Sequence, residues 1–101
     1  MAFPSDFSER AKTEYLQALS YYSQYSESVA NRFYLDFELA LHNITVFPDS
    51  WPILDAERGI YRYVMTGQPY VIYYRFDFSL KHVVVLSVFN TYRNPEDFWL
   101  D

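Results

Sequence analysis

From Ser8 to about Ser26, apolar and aromatic residues recur at Ala11, Tyr15, Leu19, Tyr22 and Tyr25, the three-to-four spacing of one helix face. Ser8 followed by Glu9 supplies a polar helix start. A second helical pattern runs through Val29, Phe33, Phe37, Ala40, Leu41, Ile44 and Phe47. It stops where Pro48 and Pro52 cannot continue the hydrogen-bond ladder. Few residues separate the two patterns, so the helices are expected to fold back as an antiparallel hairpin with Phe33, Phe37, Leu41 and Ile44 as its seam. Beyond a loop over 48–55 the hydrophobic period changes from about 3.6 to about 2. Three runs rich in Tyr, Val, Ile and Phe, at 59–65, 70–78 and 82–90, read as strands, and the gaps at 66–69 and 77–81 are short enough for hairpins. The expected architecture is α+β: an N-terminal helical hairpin packed on a three- to four-stranded antiparallel sheet. Pro4 and the few residues before Ser8 leave little room for a leading strand. Asn94, Pro95, Glu96 and Asp97 read as an N-cap, a first-turn proline and an acidic first turn, which predicts a short C-terminal helix carrying Phe98 and Trp99.

The strand pattern raises a second question. Tyr61 and Tyr63 share one face of their run, while Ile60, Arg62 and Val64 share the other. In the next run Val71, Tyr73 and Arg75 alternate with Ile72 and Tyr74, so neither face is polar enough to match the usual solvated side of a helix-covered sheet. One reading is that a partner covers the second face, with Tyr61, Tyr63 and Tyr73 at the contact. The other is that amphipathic tyrosines tolerate a wet sheet surface.

Composition narrows the chemistry. The 101 residues are half hydrophobic with only 2 Gly, a size and content suited to one compact domain over 1–101. The absence of Cys excludes disulfides, thiolate metal sites and cysteine nucleophiles. Neither a signal-peptide pattern nor an apolar run of membrane-spanning length is present, so a soluble, cytoplasmic protein without membrane contact is expected. The two histidines, His42 and His82, sit inside a helix and at a strand start and do not suggest a Ser-His-Asp arrangement. No metal-ligand spacing or glycine-rich phosphate loop occurs, and no cofactor or metal is expected. Asp36 with Glu38, and Glu96 with Asp97, read as a solvated helix face and a dipole-matched first turn.

The formal net charge of -5 argues against nucleic-acid binding until its distribution is considered. Residues 1–57 hold nine acids and three bases, whereas Arg58, Arg62, Arg75, Lys81 and Arg93 face only Asp77 over 58–93. Four of those five bases are arginine, suited to planar, bidentate contact with phosphate or carboxylate. At the end of the last strand, Asn90, Tyr92 and Arg93 fall close together, and Arg62 and Arg75 on adjoining strands could approach the same region. Arginine there could hold an anionic group, and a neighbouring tyrosine could stack on a base or transfer a proton. The alternative is an arginine and a turn-forming asparagine that only brace the chain end.

Read in order, the residues resemble the RelE/ParE superfamily of type II toxins, and its ParE-like branch in particular. The pieces are Phe7-Ser8-Glu9-Arg10-Ala11, Tyr21-Tyr22, Ala30-Asn31-Arg32-Phe33, Trp51-Pro52, Tyr61-Arg62-Tyr63-Val64-Met65, a Pro-Tyr hairpin leading to Ile72-Tyr73-Tyr74-Arg75, and a valine-rich strand running into Arg93-Asn94-Pro95. The resemblance implies a helical hairpin on an antiparallel sheet, usually β-α-α-β-β-β, and a small toxin neutralised by a cognate antitoxin. RelE-like members are implied to cleave mRNA on the ribosome, and ParE-like members to inhibit DNA gyrase. Arg62 matches the strand arginine of the family and Arg93 the arginine before Asp/Asn-Pro. Asn90 stands where many members of the branch carry His, Tyr92 where they often carry a second Arg, and Gln68 where Phe often precedes Pro-Tyr. These departures turn the expectation toward target binding rather than cleavage, with Arg62, Arg75, Asn90, Tyr92, Arg93 and Trp99 as target-binding residues. If the chain were instead a ribosome-dependent endoribonuclease, Arg62 and Arg93 would stabilise the transition-state phosphate and Tyr92 would assist proton transfer. A non-toxic binding module derived from the family is the further alternative. Without an antitoxin, a homodimer through the aromatic sheet face would cover the same residues.

Overall fold

A computed structural model of the chain describes residues 2–93. Its elements are β1 (Ser5–Phe7), α1 (Glu9–Ser23), α2 (Glu27–Val46), β2 (Ile53–Asp55), β3 (Ile60–Val64), β4 (Tyr70–Asp77) and β5 (His82–Asn90). The C-terminal helix expected from Asn94 onward, and Trp99 with it, lie outside the described residues.

Both helices begin at serine caps. Ser8 Oγ accepts the Ala11 N–H and Ser26 Oγ accepts the Val29 N–H, each at 3.1 Å, satisfying amide groups that the first turn leaves without helical partners. The hairpin and the three long strands therefore form where the hydrophobic periods place them. The sheet itself is larger and differently built. It has five strands in the order β1-β5-β4-β3-β2, and β1 runs parallel to β5, so it is mixed rather than purely antiparallel. Pro4 is compatible with β1 because it contributes an acceptor: its carbonyl takes the Val83 N–H at 3.0 Å, and the Ser8 N–H then donates to the Val85 carbonyl at 2.9 Å. The loop expected over 48–55 contains β2, entered through Pro52, whose carbonyl accepts the Arg62 N–H at 2.9 Å.

The helices cover one face of the sheet. Phe33, Phe37 and Ile44 from α2 are almost fully buried, and on α1 the small side chains Ala11 and Ala18 let that helix approach the strands closely. They meet Ile72, Tyr74, Val83, Val85 and Val88 from the sheet. Tyr15 ties α1 to α2, its ring centroid 4.6 Å from that of Phe37. Burying each large apolar side chain of this kind contributes about 1.5–3 kcal/mol. The tyrosine-rich strands split between the two faces. Tyr61 and Tyr63 point into this core: Tyr61 stacks on Tyr74 with ring centroids 5.4 Å apart, and the Tyr63 hydroxyl accepts the Asn43 amide at 2.9 Å beneath the edge-on ring of Trp51. Tyr73, Arg62 and Arg75 belong to the opposite face by strand alternation.

In β5 the register against β4 shifts by one residue. Tyr73 pairs with Ser87 and Tyr74 with Val85, so Leu86 is the extra residue of a bulge.

Candidate functional site

β1 ends at Phe7, opposite Val85, while β5 runs on to Asn90. The edge of β5 beyond that point is occupied by helix rather than strand. Ser8 Oγ, which caps α1, also donates to the Leu86 carbonyl at 2.9 Å. Two turns further along α1, Glu14 Oε1 accepts the Val88 N–H at 3.0 Å and the Ser87 hydroxyl at 2.8 Å. A side-chain carboxylate thus takes the place that a neighbouring strand's carbonyl would fill, and only 10% of the Glu14 side chain stays exposed. Arg10 Nε lies 3.5 Å from the same oxygen. The other oxygen, Oε2, faces Arg93 Nη1 at 3.9 Å, an ion-pair separation too long for a hydrogen bond.

Local bonds set the chain end beside it. Asn90 Oδ1 accepts the Tyr92 N–H at 2.9 Å, and the Asn90 carbonyl accepts the Arg93 N–H at 3.1 Å, closing a turn. The Thr91 N–H and hydroxyl both donate to the Pro69 carbonyl, at 2.8 and 3.1 Å, which fastens this turn to the start of β4. Asn90 therefore shapes the turn directly. Tyr92 projects into solvent at 85% exposure. The Arg93 guanidinium is half-exposed and lies 5.8 Å from the centroid of the Phe89 ring.

Between α1 and the adjacent ends of β4 and β5 lies a groove of about 540 Å³. Tyr21, Tyr22, Tyr70 and Tyr92 give it aromatic walls, and Glu14, Gln17, Asn90 and Arg93 supply its polar groups. Burial, reinforced by the neighbouring Tyr22 phenol, holds the Tyr70 hydroxyl protonated well above the ordinary tyrosine range. It can donate a hydrogen bond but is not a base near neutrality. Among the described residues no three His, Cys, Asp or Glu side chains gather to hold a metal ion, and no helix is long and apolar enough to cross a membrane.

The expected cluster is therefore only partly assembled. Asn90, Tyr92 and Arg93 come together in one groove. Arg62 lies on the outer sheet face in one row with Tyr73 and Ser87. Arg75 pairs with Ile60 and Val84, and at about 3.3 Å per residue the stretch from Val84 to Asn90 places its row roughly 20 Å down the strand. Of the three tyrosines assigned to a partner, Tyr61 and Tyr63 are core residues and Tyr73 keeps the outer face. Glu14 and Tyr70 enter the site without having been singled out by the sequence pattern. The available signal was a carboxylate sharing the α1 face of Ala11 and Ala18, three and four residues away.

Residues 6–95 match the family described as the ParE toxin of type II toxin-antitoxin system, parDE. The fold and the match over most of its length make this chain a member of that toxin family. Among solved structures, a chain of the chromosomal ParDE toxin-antitoxin system from P. aeruginosa aligns with a TM-score of 0.71 at 10% identity, covering 88% of this chain and 96% of that one. A chain of a RelBE toxin-antitoxin complex from Mycobacterium tuberculosis aligns with a TM-score of 0.57 at 16% identity, covering 89% and 92%. One from the intact E. coli RelBE complex gives 0.50 at 20% identity, covering 86% and 94%. At these identities the likeness is one of fold. No curated protein sequence matches the chain significantly.

Proposed function

We propose that this chain is a toxin that acts by holding its target, in the manner of a gyrase inhibitor, rather than by cleaving nucleic acid, and that a cognate antitoxin neutralises it in the cytoplasm. The observation that carries the reading is the separation of Arg62 and Arg75 from Arg93. Cleaving a phosphodiester requires cations and a proton-transfer group gathered around one phosphate. Here Arg93 is paired with Glu14 at the β5 edge, Arg62 belongs to the opposite sheet face, and Asn90 replaces a titratable side chain with an amide committed to a turn. Arg93 and Tyr92 remain exposed enough to meet a target surface. The antitoxin covers the outer sheet face, which carries Arg62 and Arg75, or the helix grooves, and a second copy takes the sheet face in its absence.

Inducible expression without a partner tests this. Growth arrest with loss of gyrase supercoiling, and no codon-associated cuts by primer extension on translated mRNA, is the expected result. Normal growth at confirmed soluble levels would sink the toxin reading. Discrete mRNA cuts that vanish in Arg93→Ala would assign a ribosome-dependent endoribonuclease instead.

A further inference from the structure

We infer that the groove between α1 and the end of β5 seats a basic side chain, arginine or lysine, from a partner protein, with its cation on Glu14 Oε2 and its stem between the tyrosine rings. This rests on the reading of the chain as one half of a toxin-antitoxin pair and names the chemistry by which the other half engages it. Glu14 Oε1 is committed to Ser87 and Val88, while Oε2 meets Arg93 only at 3.9 Å, so a carboxylate oxygen faces the groove with room for a closer donor. Arg93 has somewhere to go when that donor arrives, because its guanidinium already lies near the Phe89 ring and is half-exposed.

The walls suit the same guest. Tyr21, Tyr22 and Tyr70 present aromatic surface to an aliphatic stem and a cation, and Gln17 offers an amide oxygen to the remaining N–H groups. At about 540 Å³ the groove is larger than one side chain, which fits a segment of polypeptide lying along it with one residue inserted. Glu14 is the acid among the described residues that line the groove, and a cation on its Oε2 pairs with it as Arg93 turns toward Phe89. A phosphate placed on Arg93 would instead sit against the Glu14 carboxylate, so the groove disfavours the anion that Arg93 alone would suggest.

The test is an amide chemical-shift titration of the full-length protein with three probes: acetyl-Leu-Arg-Leu-amide, its neutral citrulline isostere, and inorganic phosphate. The arginine peptide is expected to shift the amides of Ala18, Tyr70 and Val88, with the citrulline peptide weaker by about tenfold, the scale of one charge-assisted contact. Glu14→Gln, which keeps a neutral acceptor for Ser87 and Val88, should weaken the arginine peptide by a similar factor. Tyr21→Ala, on the exposed rim, should weaken it about threefold and carries the test if Glu14→Gln loses its native spectrum. Equal shifts from both peptides, shifts from neither, or phosphate shifting these amides in an Arg93-dependent way would overturn the inference. The titration reads the groove without reference to growth, so its failure leaves any growth arrest in place, and normal growth leaves a positive titration standing.

Discussion

Glu14 Oε1 accepts the backbone N–H of Val88 at 3.0 Å, joining a side chain of the first helix to the edge of the last strand across most of the chain. With the Ser87 hydroxyl on the same oxygen, one carboxylate closes the sheet where β1 stops. Glu14→Ala would leave both donors without that acceptor and is expected to lower stability by about 2–3 kcal/mol, with Glu14→Gln costing about 1 kcal/mol. Urea unfolding of the two variants checks the order: equal losses would show that filling space, not accepting hydrogen bonds, is what Glu14 contributes.

Arg93 and Arg75 should part company in function. If Arg93 contacts the target, Arg93→Ala weakens target binding by roughly 10- to 100-fold, the range for a hydrogen bond to a charged group, and relieves growth arrest while the amide spectrum stays native. Arg75→Ala, about 20 Å along the sheet on the other face, should leave growth arrest intact. Toxicity lost in Arg75→Ala and kept in Arg93→Ala would move the site to the outer face.

Two phenols make stability sensitive to alkali. Burial holds the Tyr74 hydroxyl, which donates to the Pro48 carbonyl at 2.6 Å, protonated well above the ordinary tyrosine range, and burial with the neighbouring Tyr22 does the same for Tyr70. Unfolding releases both to ionise near pH 10, so the unfolded state holds fewer protons and stability falls as pH rises above that point. Below about pH 9 these groups should contribute no slope, and above about pH 10 each should contribute up to ~1.4 kcal/mol per pH unit. Denaturation measured from pH 8 to 11 should show this bend, and Tyr70→Phe/Tyr74→Phe should make it shallower, the partly buried Tyr15 phenol keeping part of the slope.

The glycines separate two backbone costs. Gly59 and Gly67 both adopt positive φ, at 66° and 79°. A Cβ on Gly59 would also meet the Phe76 carbonyl oxygen at 3.0 Å, in a segment where Phe76 N–H donates to the Gly59 carbonyl. On Gly67 the nearest atom is the Asp36 carboxylate at 3.6 Å, an ordinary contact. Gly67→Ala should cost about 1–2 kcal/mol for its dihedral alone, and Gly59→Ala clearly more. Thermal unfolding that ranks them the other way would contradict the crowding at Phe76.

The hairpin and β3 to β5 were legible because each repeats a period long enough to identify itself. β1 and β2 were not: each has three residues next to a proline, and each exists through bonds to distant backbone rather than through its own pattern. Alternation separated Tyr61 and Tyr63 from Tyr73, but it cannot tell which set meets the helices, and the intuitive assignment placed two core tyrosines on an interface. The turn at Asn90 through Arg93 could be read from its own residues. Its setting could not, because whether Glu14 faces solvent or a strand edge depends on where β1 ends, information that lies outside α1. The arginines looked convergent on adjacent strands because sequence spacing does not give the face and row of each residue.

The bulge at Leu86 fixes how β5 delivers its end. Before it, the odd-numbered Val83 and Val85 face the helices; after it, the even-numbered Val88 and Asn90 do. The strand changes phase once along its length, within a run so uniformly apolar that composition would hardly register the change. Were Leu86 an ordinary paired residue, every valine would keep its hydrophobicity and yet Asn90, and the arginine that follows it, would turn away from α1. What orients the chain end is therefore one unpaired strand position as much as the identity of the residues around it, a feature that leaves the core composition untouched.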